Sequence, residues 1–352
     1  MMIKQAVLVF LVLGLTACSG AEHNSLPSNS GISSSLLEDM PKDRSDSYAI
    51  NPDVQLFINR MVQKHNYDRK RLELAFSHIK VRPTVIEKSD NQPESITPYY
   101  EYKTRFVTEA RAKSGYVFAK KNAKWLKKAE QDFGVESNVI VALIGVETYY
   151  GRITGSKDVF TSLTTLAFDY PRRKEYFQSE LEAYLLLARE EGWNIGKTKG
   201  SYSGAMGMVQ FMPSNYRKLA IDYDKDGHVD LWGSDADAIG SVANYLKHHG
   251  WIVNQPWFVL AQVADPEKVV DDINRGREPD TDMARWSSLG VLPLQSFLPE
   301  KTGLIGLRTS SEEVSYWLAY QNFFTIMDYN PSRRYSMSVL ELAVSIGSYE
   351  GN

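Results

Sequence analysis

The chain has 352 residues, of which 43% are hydrophobic and 24% are charged, a composition typical of a globular protein with room for two or three domains. Its 40 lysines and arginines against 43 aspartates and glutamates give a formal net charge of −3. This balance leaves no broad basic surface, so we expect no nucleic acid partner, and a neutral or polar substrate fits better.

The first residues predict export followed by lipid anchoring. Lys4 precedes a short apolar stretch, residues 6–17, which suits the core of a signal peptide and is too short to span a bilayer comfortably. The stretch ends at Cys18, the one cysteine of the chain. The run LTAC ending at Cys18 resembles the lipobox of bacterial lipoproteins, in which the cysteine is lipidated and becomes the mature N-terminus. An ordinary secretory signal that happens to end near a cysteine is the alternative.

A flexible tether is predicted between the anchor and the folded protein, over residues 18–48. Residues 19–35 include seven serines and almost no bulky apolar groups. Such a segment cannot offset the entropy of ordering by burying apolar surface. After the signal peptide, no other stretch is long and apolar enough to cross a membrane, so lipid alone is expected to anchor the protein.

From Val54 onward, apolar residues follow helical spacing. A long helical stretch is predicted from about Tyr99 to Phe133, with Gly134 as its stop. Ser137 with Asn138 is predicted to cap the next helix, which carries the apolar run 139–146. Further helices are predicted over residues 178–191, 213–223, 236–249 and 337–349.

One region has a different pattern. Between Gly303 and Tyr329, the segments TGLIGLRT, VSYWLAY and FFTIMDY are rich in β-branched and aromatic residues, with turn signals between them. They predict the strands of a small antiparallel sheet. The expected fold class is therefore mainly α, of the α+β type.

Glu147 is the first candidate for chemistry. It follows the apolar run VIVALIGV, whose spacing marks a buried helix face. A carboxyl group at the end of such a helix lies at the wall of the core, where desolvation raises its pKa, as a general acid requires. A structural ion pair would explain the same residue equally well.

The glycine-rich segment, residues 200–213 (GSYSGAMGMVQFMP), favours the catalytic interpretation. Its small residues let the backbone pass close to a ligand. Ser201, Ser203 and Gln210 offer neutral hydrogen-bonding groups, which suit sugar hydroxyl and acetamido groups better than phosphates.

Four segments, taken in order, resemble family B membrane-bound lytic transglycosylases: GVETYYGR, FDYPRR (residues 168–173), SGAMGMVQFMPS and GSVANYLKHHGW (residues 240–251). The resemblance covers about residues 50–349. It implies a lysozyme-like helical core with an additional helical domain and a small antiparallel β domain. It also implies cleavage of the MurNAc–GlcNAc β-1,4 bond of peptidoglycan without net hydrolysis, leaving a 1,6-anhydro-MurNAc end, and no organic cofactor. The implied boundaries within residues 49–349 are about 49–136 for the helical domain, 137–251 for the core, 252–328 for a helical segment with the β domain, and 329–349 for a return to the core.

The resemblance also implies roles for single residues. Glu147 matches the catalytic glutamate, which protonates the glycosidic oxygen and then, as a carboxylate, removes a proton from the C6 hydroxyl group of the same sugar. The substrate's own N-acetyl group takes the place of a protein nucleophile. Residues at positions that line the sugar subsites are Ser201, Gln210, Tyr245, Tyr329, Asn330 and Tyr335. Aromatic residues at these places could equally pack in the core. Arg172 and Arg173 are expected to meet carboxylates of the stem peptide, although an arginine pair is more often a solvated face.

An acidic loop, residues 222–237, predicts a structural calcium ion. Asp222, Asp224, Asp226, Gly227 and Asp230 follow the EF-hand pattern, with the carbonyl group of His228 as a further ligand. Position 12, usually a glutamate, is Gly233. The resemblance implies a longer loop closed by a later aspartate, either Asp235 or Asp237. A solvated acidic turn is the alternative.

The sequence thus favours an outer-membrane lipoprotein that faces the periplasm of a Gram-negative bacterium and binds peptidoglycan strands. Ser19 after the lipidated cysteine favours the outer membrane by the usual sorting rule. Wall-synthesis proteins are further candidate partners, and the sequence does not show which. Two other classes remain: a noncatalytic wall-binding lipoprotein, and a hydrolase of lysozyme type.

Overall fold

The computed structural model describes residues 48–90, 97–296 and 299–349. The predicted signal peptide, Cys18 and most of the predicted tether lie outside these residues. The described residues form the α-helices α1 (Pro52–His65), α2 (Arg69–Ser77), α3 (Pro83–Asp90), α4 (Tyr99–Tyr102), α5 (Glu109–Lys121), α6 (Ala123–Phe133), α7 (Ser137–Thr148), α8 (Val159–Asp169), α9 (Lys174–Glu190), α10 (Pro213–Leu219), α11 (Asp235–His248), α12 (Met283–Ser288), α13 (Gln321–Tyr329) and α14 (Arg333–Gly347). They form the strands β1 (Lys157–Asp158), β2 (Lys199–Gly200), β3 (Phe258–Val263), β4 (Val291–Pro293), β5 (Gly303–Arg308) and β6 (Val314–Ala319).

The chain falls into two compact units, divided between Val81 and Arg82. In the first unit, helices α1 and α2 follow a short 3-10 turn. Asn51 and Asp68 start these helices, because their side chains accept hydrogen bonds from backbone N–H groups in the first turn. The predicted boundaries within residues 49–349 stay predictions.

In the second unit, the long helical stretch predicted over residues 99–133 is divided into several helices. The structure has α4, a 3-10 turn, α5 and α6 there. The hydroxyl group of Thr108 caps α5, and Asn122 separates α5 from α6, its side chain donating to the carbonyl oxygen of Phe118 at 3.1 Å. Polar side chains that bond to nearby backbone groups interrupt helices in this way. Gly134 ends α6 in the left-handed conformation, with φ 71°, as predicted.

Helix α7 runs through the core of the second unit. Every residue from Val139 to Val146 is buried. The helix packs against α5, α11 and α14. The prediction that Ser137 and Asn138 cap α7 is wrong: the helix begins at Ser137, whose backbone N–H donates to the carboxylate of Glu130 at 2.6 Å. The other helices predicted in this unit are confirmed, with ends shifted by a few residues.

The small antiparallel sheet is confirmed, with a different set of strands. Its order is β4–β3–β6–β5, and alternate residues such as Val259, Leu304 and Leu318 pack with Trp286 in a separate core. Strands β3 and β4 were not predicted. The segment FFTIMDY is not a strand but lies in α13, where residues 322–327 are all buried. A short run rich in apolar residues fits a buried helix as well as a strand, so its periodicity could not decide between the two. No helix among the described residues is long and apolar enough to span a membrane.

Candidate active site

Glu147 lies in the last turn of α7, where the buried helix reaches the edge of the core. Its side chain is half-buried. The hydroxyl group of Tyr335 donates a hydrogen bond to its Oε1 at 2.5 Å. Tyr335 lies in the first turn of α14, and its backbone N–H donates to the Ser332 hydroxyl group that caps this helix. The packing of α14 on α7 therefore brings a phenol donor to the carboxylate.

Three predicted tyrosines, Tyr245, Tyr329 and Tyr335, form a buried wall beside Glu147. The rings of Tyr245 and Tyr329 lie 4.8 Å apart, and Phe211 packs against both. Burial raises the pKa of all three phenols above the ordinary value, and the negative charge of Glu147 adds to the rise for Tyr329 and Tyr335. These tyrosines are therefore neutral hydrogen-bond donors over the whole physiological pH range.

The glycine-rich segment follows β2, which pairs with β1 just beyond α7. Gln210 adopts a left-handed conformation, with φ 48°, and its Nε2 donates to the carbonyl oxygens of Thr154 (3.0 Å) and Gly207 (2.8 Å). The hydroxyl group of Tyr329 donates to the carbonyl oxygen of Val209. Gln210 thus holds the segment against the turn after Glu147, while one face of the segment meets the tyrosine wall.

The two remaining predicted sugar-site residues, Ser201 and Asn330, differ in whether their polar side-chain atoms have hydrogen-bond partners. The Ser201 hydroxyl group is bonded within its own turn, to Ser203 and to the backbone N–H of Ala205. The Asn330 Oδ1 is buried and has no hydrogen-bond partner within the described part of the chain. A buried acceptor without a donor costs free energy unless a ligand or water supplies one. Among the predicted sugar-site residues, Asn330 is the one that the structure describes with such an acceptor.

The two predicted arginines lie on the 3-10 turn between α8 and α9. Arg172 is 69% exposed and pairs with Asp90 at 2.9 Å, and the Tyr170 hydroxyl group donates to the same carboxylate oxygen. Arg173 lies over the ring of Tyr176, with its guanidinium carbon 4.2 Å from the ring centroid.

The acidic loop brings together three of the predicted ligands. Carboxylate oxygens of Asp222, Asp224 and Asp237 lie within 4.8 Å of one another. Asp226 is not in this group, and its Oδ1 accepts a hydrogen bond from the backbone N–H of His228 at 2.9 Å. Hard carboxylate oxygens are the ligands that calcium prefers, so the donor set fits that ion.

The structure distinguishes the two aspartates proposed to close the loop. Asp237 is 1% exposed, and its oxygens accept hydrogen bonds from the backbone N–H groups of Tyr223 (2.7 Å) and Asp230 (2.8 Å). Burial raises the pKa of Asp237, and the charge of Asp224 adds to this. Asp235 instead accepts from Lys121 and from Asn122 at the end of α5. Asp237 is therefore the residue positioned beside Asp222 and Asp224.

Sequence reasoning missed two residues that shape the site. Phe211 lies in the glycine-rich segment, but nothing in its spacing separates it from an ordinary core residue. Thr148 follows Glu147 and is 1% exposed, with its hydroxyl group 2.7 Å from the carbonyl oxygen of Met208. The sequence feature that could have indicated Thr148 is its position directly after Glu147, at the end of an otherwise apolar helix.

Comparison with known proteins agrees with this arrangement. Residues 49–344 match the family described as transglycosylase SLT domain. Membrane-bound lytic murein transglycosylase B of Escherichia coli (strain K12) is 37% identical over 308 residues, which cover 85% of this chain and 84% of that protein.

Two solved structures show the same fold. The Escherichia coli lytic transglycosylase Slt35 in complex with calcium has a TM-score of 0.76 and 37% identity, covering 85% of this chain and 94% of that one. SltB3 from Pseudomonas aeruginosa in complex with NAG-anhNAM-pentapeptide has a TM-score of 0.71 and 29% identity, covering 84% of this chain and 78% of that one. The fold and the site thus define a lytic transglycosylase with a lysozyme-like core. The chain belongs to the transglycosylase SLT domain family.

Proposed function

We propose that this enzyme cleaves the β-1,4 bond between MurNAc and GlcNAc in peptidoglycan and leaves 1,6-anhydro-MurNAc ends, with Glu147 as the acid and base. The observation that carries the proposal is the position of Glu147, a half-buried carboxyl group at the end of a buried helix, contacted by a neutral phenol donor. The Escherichia coli relative is named a lytic murein transglycosylase, which supports the substrate class.

The chemistry needs one protein carboxyl group. Protonated Glu147 gives its proton to the glycosidic oxygen as the bond to C1 breaks, and the N-acetyl oxygen of the substrate bonds to C1 in its place. Glu147, now a carboxylate, then accepts the proton of the C6 hydroxyl group as that oxygen bonds to C1 and the bond between C1 and the N-acetyl oxygen breaks, which restores the acetamido group. Among the described residues, Glu147 is the one carboxylate whose charge acts on both Tyr329 and Tyr335, which fits a site without a second carboxylate.

Sugar binding is assigned to the residues around Glu147. The unpartnered Oδ1 of Asn330 accepts a hydrogen bond from a sugar hydroxyl or amide group. One wall of the proposed sugar site is formed by Tyr245, Tyr329 and Tyr335. The glycine-rich segment is held in place beside the sugar by the hydrogen bonds of Ser201 and Gln210. Exposed ion pairs such as that of Arg172 with Asp90 contribute little to stability. We therefore propose that a carboxylate of the stem peptide takes the place of Asp90 as the partner of Arg172. We assign Arg173 to the same peptide.

Mass spectrometry of digested peptidoglycan tests the proposed reaction. We expect muropeptides that end in 1,6-anhydro-MurNAc, and none that end in a new reducing sugar. Reducing ends would show a hydrolase of lysozyme type, and intact strands would show a noncatalytic wall-binding protein.

The acidic loop is proposed to bind one structural calcium ion through Asp222, Asp224 and Asp237. Three carboxylates this close repel one another, so a cation between them stabilises the folded loop. Asp226 and the carbonyl group of His228 are proposed to complete the set. The complex of Slt35 with calcium supports this assignment. The ion has no part in the chemistry, which belongs to Glu147.

Cys18 is proposed to carry the lipid that anchors the enzyme to the outer membrane, facing the periplasm and wall-synthesis proteins. The lipobox-like segment supports this, as does the membrane-bound relative. Cys18→Ala, expressed behind a cleavable secretory signal, should fractionate as soluble periplasmic protein and keep its turnover. Continued fractionation with membranes would show a second means of attachment.

A further inference from the structure

Thr148, the last residue of α7, has a buried hydroxyl group with partners on both sides. Its Oγ1 lies 2.7 Å from the carbonyl oxygen of Met208 and 3.3 Å from that of Ile144. The backbone N–H of Gly151 donates to the same oxygen at 3.0 Å. A hydroxyl group has one hydrogen, which goes to the nearer carbonyl group of Met208. Thr148 therefore bonds the residue next to Glu147 directly to the glycine-rich segment.

The turn after Thr148 has a backbone conformation that needs such support. Tyr149 and Tyr150 have φ values of 53° and 60°, in the left-handed region that side chains disfavour. Two such residues in succession persist only where surrounding contacts hold them. The bond from Gly151 to the Thr148 hydroxyl group closes this turn. The turn leads to Thr154, whose carbonyl oxygen accepts from Gln210.

The glycine-rich segment is held on its other side by the tyrosine wall. The carbonyl oxygen of Met208 accepts from Thr148, and that of the next residue, Val209, accepts from the hydroxyl group of Tyr329. The backbone N–H of Met208 donates to Leu231 at 2.6 Å. The segment is thus fixed between α7 and α13 at two successive carbonyl groups.

We propose that Thr148 is a positioning residue: its hydroxyl group sets the distance between the Glu147 carboxyl group and the part of the glycine-rich segment that carries Gln210. The inference rests on the proposed function, since the glycan is the ligand held between these two elements. Thr148 touches no reacting atom, because its hydroxyl group is occupied by backbone partners. It acts through the placement of Glu147, and a misplacement of about 1 Å can lower turnover by about a hundredfold.

The test compares Thr148→Val, which keeps the branched shape but removes the hydroxyl group, with Thr148→Ser, which keeps the hydroxyl group. We expect Thr148→Val to lower kcat on peptidoglycan by about tenfold or more, with KM changed by less than about threefold. Thr148→Ser should return kcat to within about threefold of the parent. Loss of packing alone would not produce this rescue, because serine is the smaller residue.

Thr165→Val is the matched control. Thr165 in α8 is also fully buried and back-bonds within its helix, to the carbonyl oxygen of Thr161 at 2.9 Å. Its substitution should lower the melting temperature while leaving kcat within about twofold. If Thr148→Val does not fold, Thr148→Cys replaces it under the same criteria, since a thiol is a weaker donor.

Three results would overturn the inference: a kcat of Thr148→Val within about threefold of the parent, no recovery with serine, or an equal loss of kcat in Thr165→Val. A parent enzyme that releases no anhydro-ended products would instead overturn the proposed function, and it is measured first in the same assay.

Discussion

Two acidic regions of this enzyme have opposite surroundings. Glu147 stands at the end of an apolar helix, next to a wall of neutral tyrosines. In the acidic loop, Asp222, Asp224 and Asp237 place their carboxylates together and receive hydrogen bonds chiefly from backbone N–H groups. The proposed roles differ accordingly: the first region holds a group that transfers a proton, and the second holds a cation.

The difference shows how one chemical group serves two purposes. The role proposed for Glu147 is to give and take a proton, and the two groups described beside it, Tyr329 and Tyr335, are neutral phenols. Carboxylates that repel one another gain most from a shared cation, and backbone N–H donors hold them in place. Substitution should therefore affect turnover at the first region and stability at the second.

The largest effect on turnover is expected from Glu147→Gln. The amide cannot transfer the proton, so kcat should fall by about 10²–10⁴, the range of general acid–base catalysis. Gln is close in size, and the melting temperature should change by less than about 2 °C. Release of anhydro-ended muropeptides measures the first quantity, and a thermal melt measures the second.

Glu136→Gln is the matched control, because Glu136 lies at the opposite end of the same helix. Its carboxylate accepts from the indole N–H of Trp251 at 3.0 Å, and burial raises its pKa. Turnover should stay within about twofold of the parent. If Glu147→Gln kept turnover within about tenfold, Glu147 would lose its assigned role.

A smaller loss of turnover is expected from Tyr335→Phe, which removes the phenol donor but keeps the ring. The carboxylate formed in the first step loses one charge-assisted hydrogen bond, so kcat should fall by about tenfold. Tyr184→Phe is the control: Tyr184 is equally buried and donates to the carbonyl oxygen of Ile195 at 2.7 Å, away from Glu147. Equal losses in both variants would mean that Tyr335 acts through packing alone.

Features that depend on local sequence order could be predicted from the sequence, whereas features that depend on contacts between distant segments could not. The sequence alone predicted Glu147 and the acidic loop as candidate sites, because both predictions depend on the order of residues along the chain. The sequence did not indicate the division into α5 and α6. The Asn122 side chain at the break bonds to the nearby carbonyl oxygen of Phe118 and also to Asp235, 113 residues further along the chain. Which of Asp235 and Asp237 closes the acidic loop likewise could not be predicted, because it depends on how α11 packs against α6. Contacts made by Thr148 and Tyr335 depend on distant segments, which no local pattern records.

The largest effect on stability is expected from Asp237→Asn. It removes one of three clustered carboxylates, so the rise in melting temperature that calcium produces in the parent should be lost or strongly reduced. Asp235→Asn is the matched control, two residues away in the same helix turn but paired with Lys121. It should keep the full calcium-dependent rise. Thermal melts with calcium and with a chelator measure both, and a parent curve indifferent to either would refute the site.

The pH dependence of that rise follows from the raised pKa of Asp237. A carboxyl group with a raised folded pKa binds its proton more tightly in the folded state, so it favours folding at low pH. That contribution is lost as the pH rises through the folded pKa. Without calcium, the ionised form of Asp237 near pH 7 is therefore expected to stabilise the fold less than the protonated form does at low pH. The calcium-dependent rise should accordingly be larger near pH 7 than near pH 4, where protons compete with the ion. An equal rise at both values would contradict this.

The smallest effect on the calcium-dependent rise in melting temperature is expected from Asp226→Ala. At this residue the EF-hand sequence pattern and the observed position of the side chain lead to different expectations. The pattern makes Asp226 a calcium ligand, whereas its Oδ1 is bonded to the backbone N–H of His228 and lies outside the group of three carboxylates. Because its Oδ1 is engaged by the backbone, we expect Asp226 to be the weakest of the proposed carboxylate ligands. The calcium-dependent rise should therefore be reduced less than by Asp237→Asn, and turnover should remain measurable because Glu147 is untouched. Titration of calcium against the melting temperature of both variants decides this. A complete loss in Asp226→Ala would show that Asp226 turns to the ion when calcium binds.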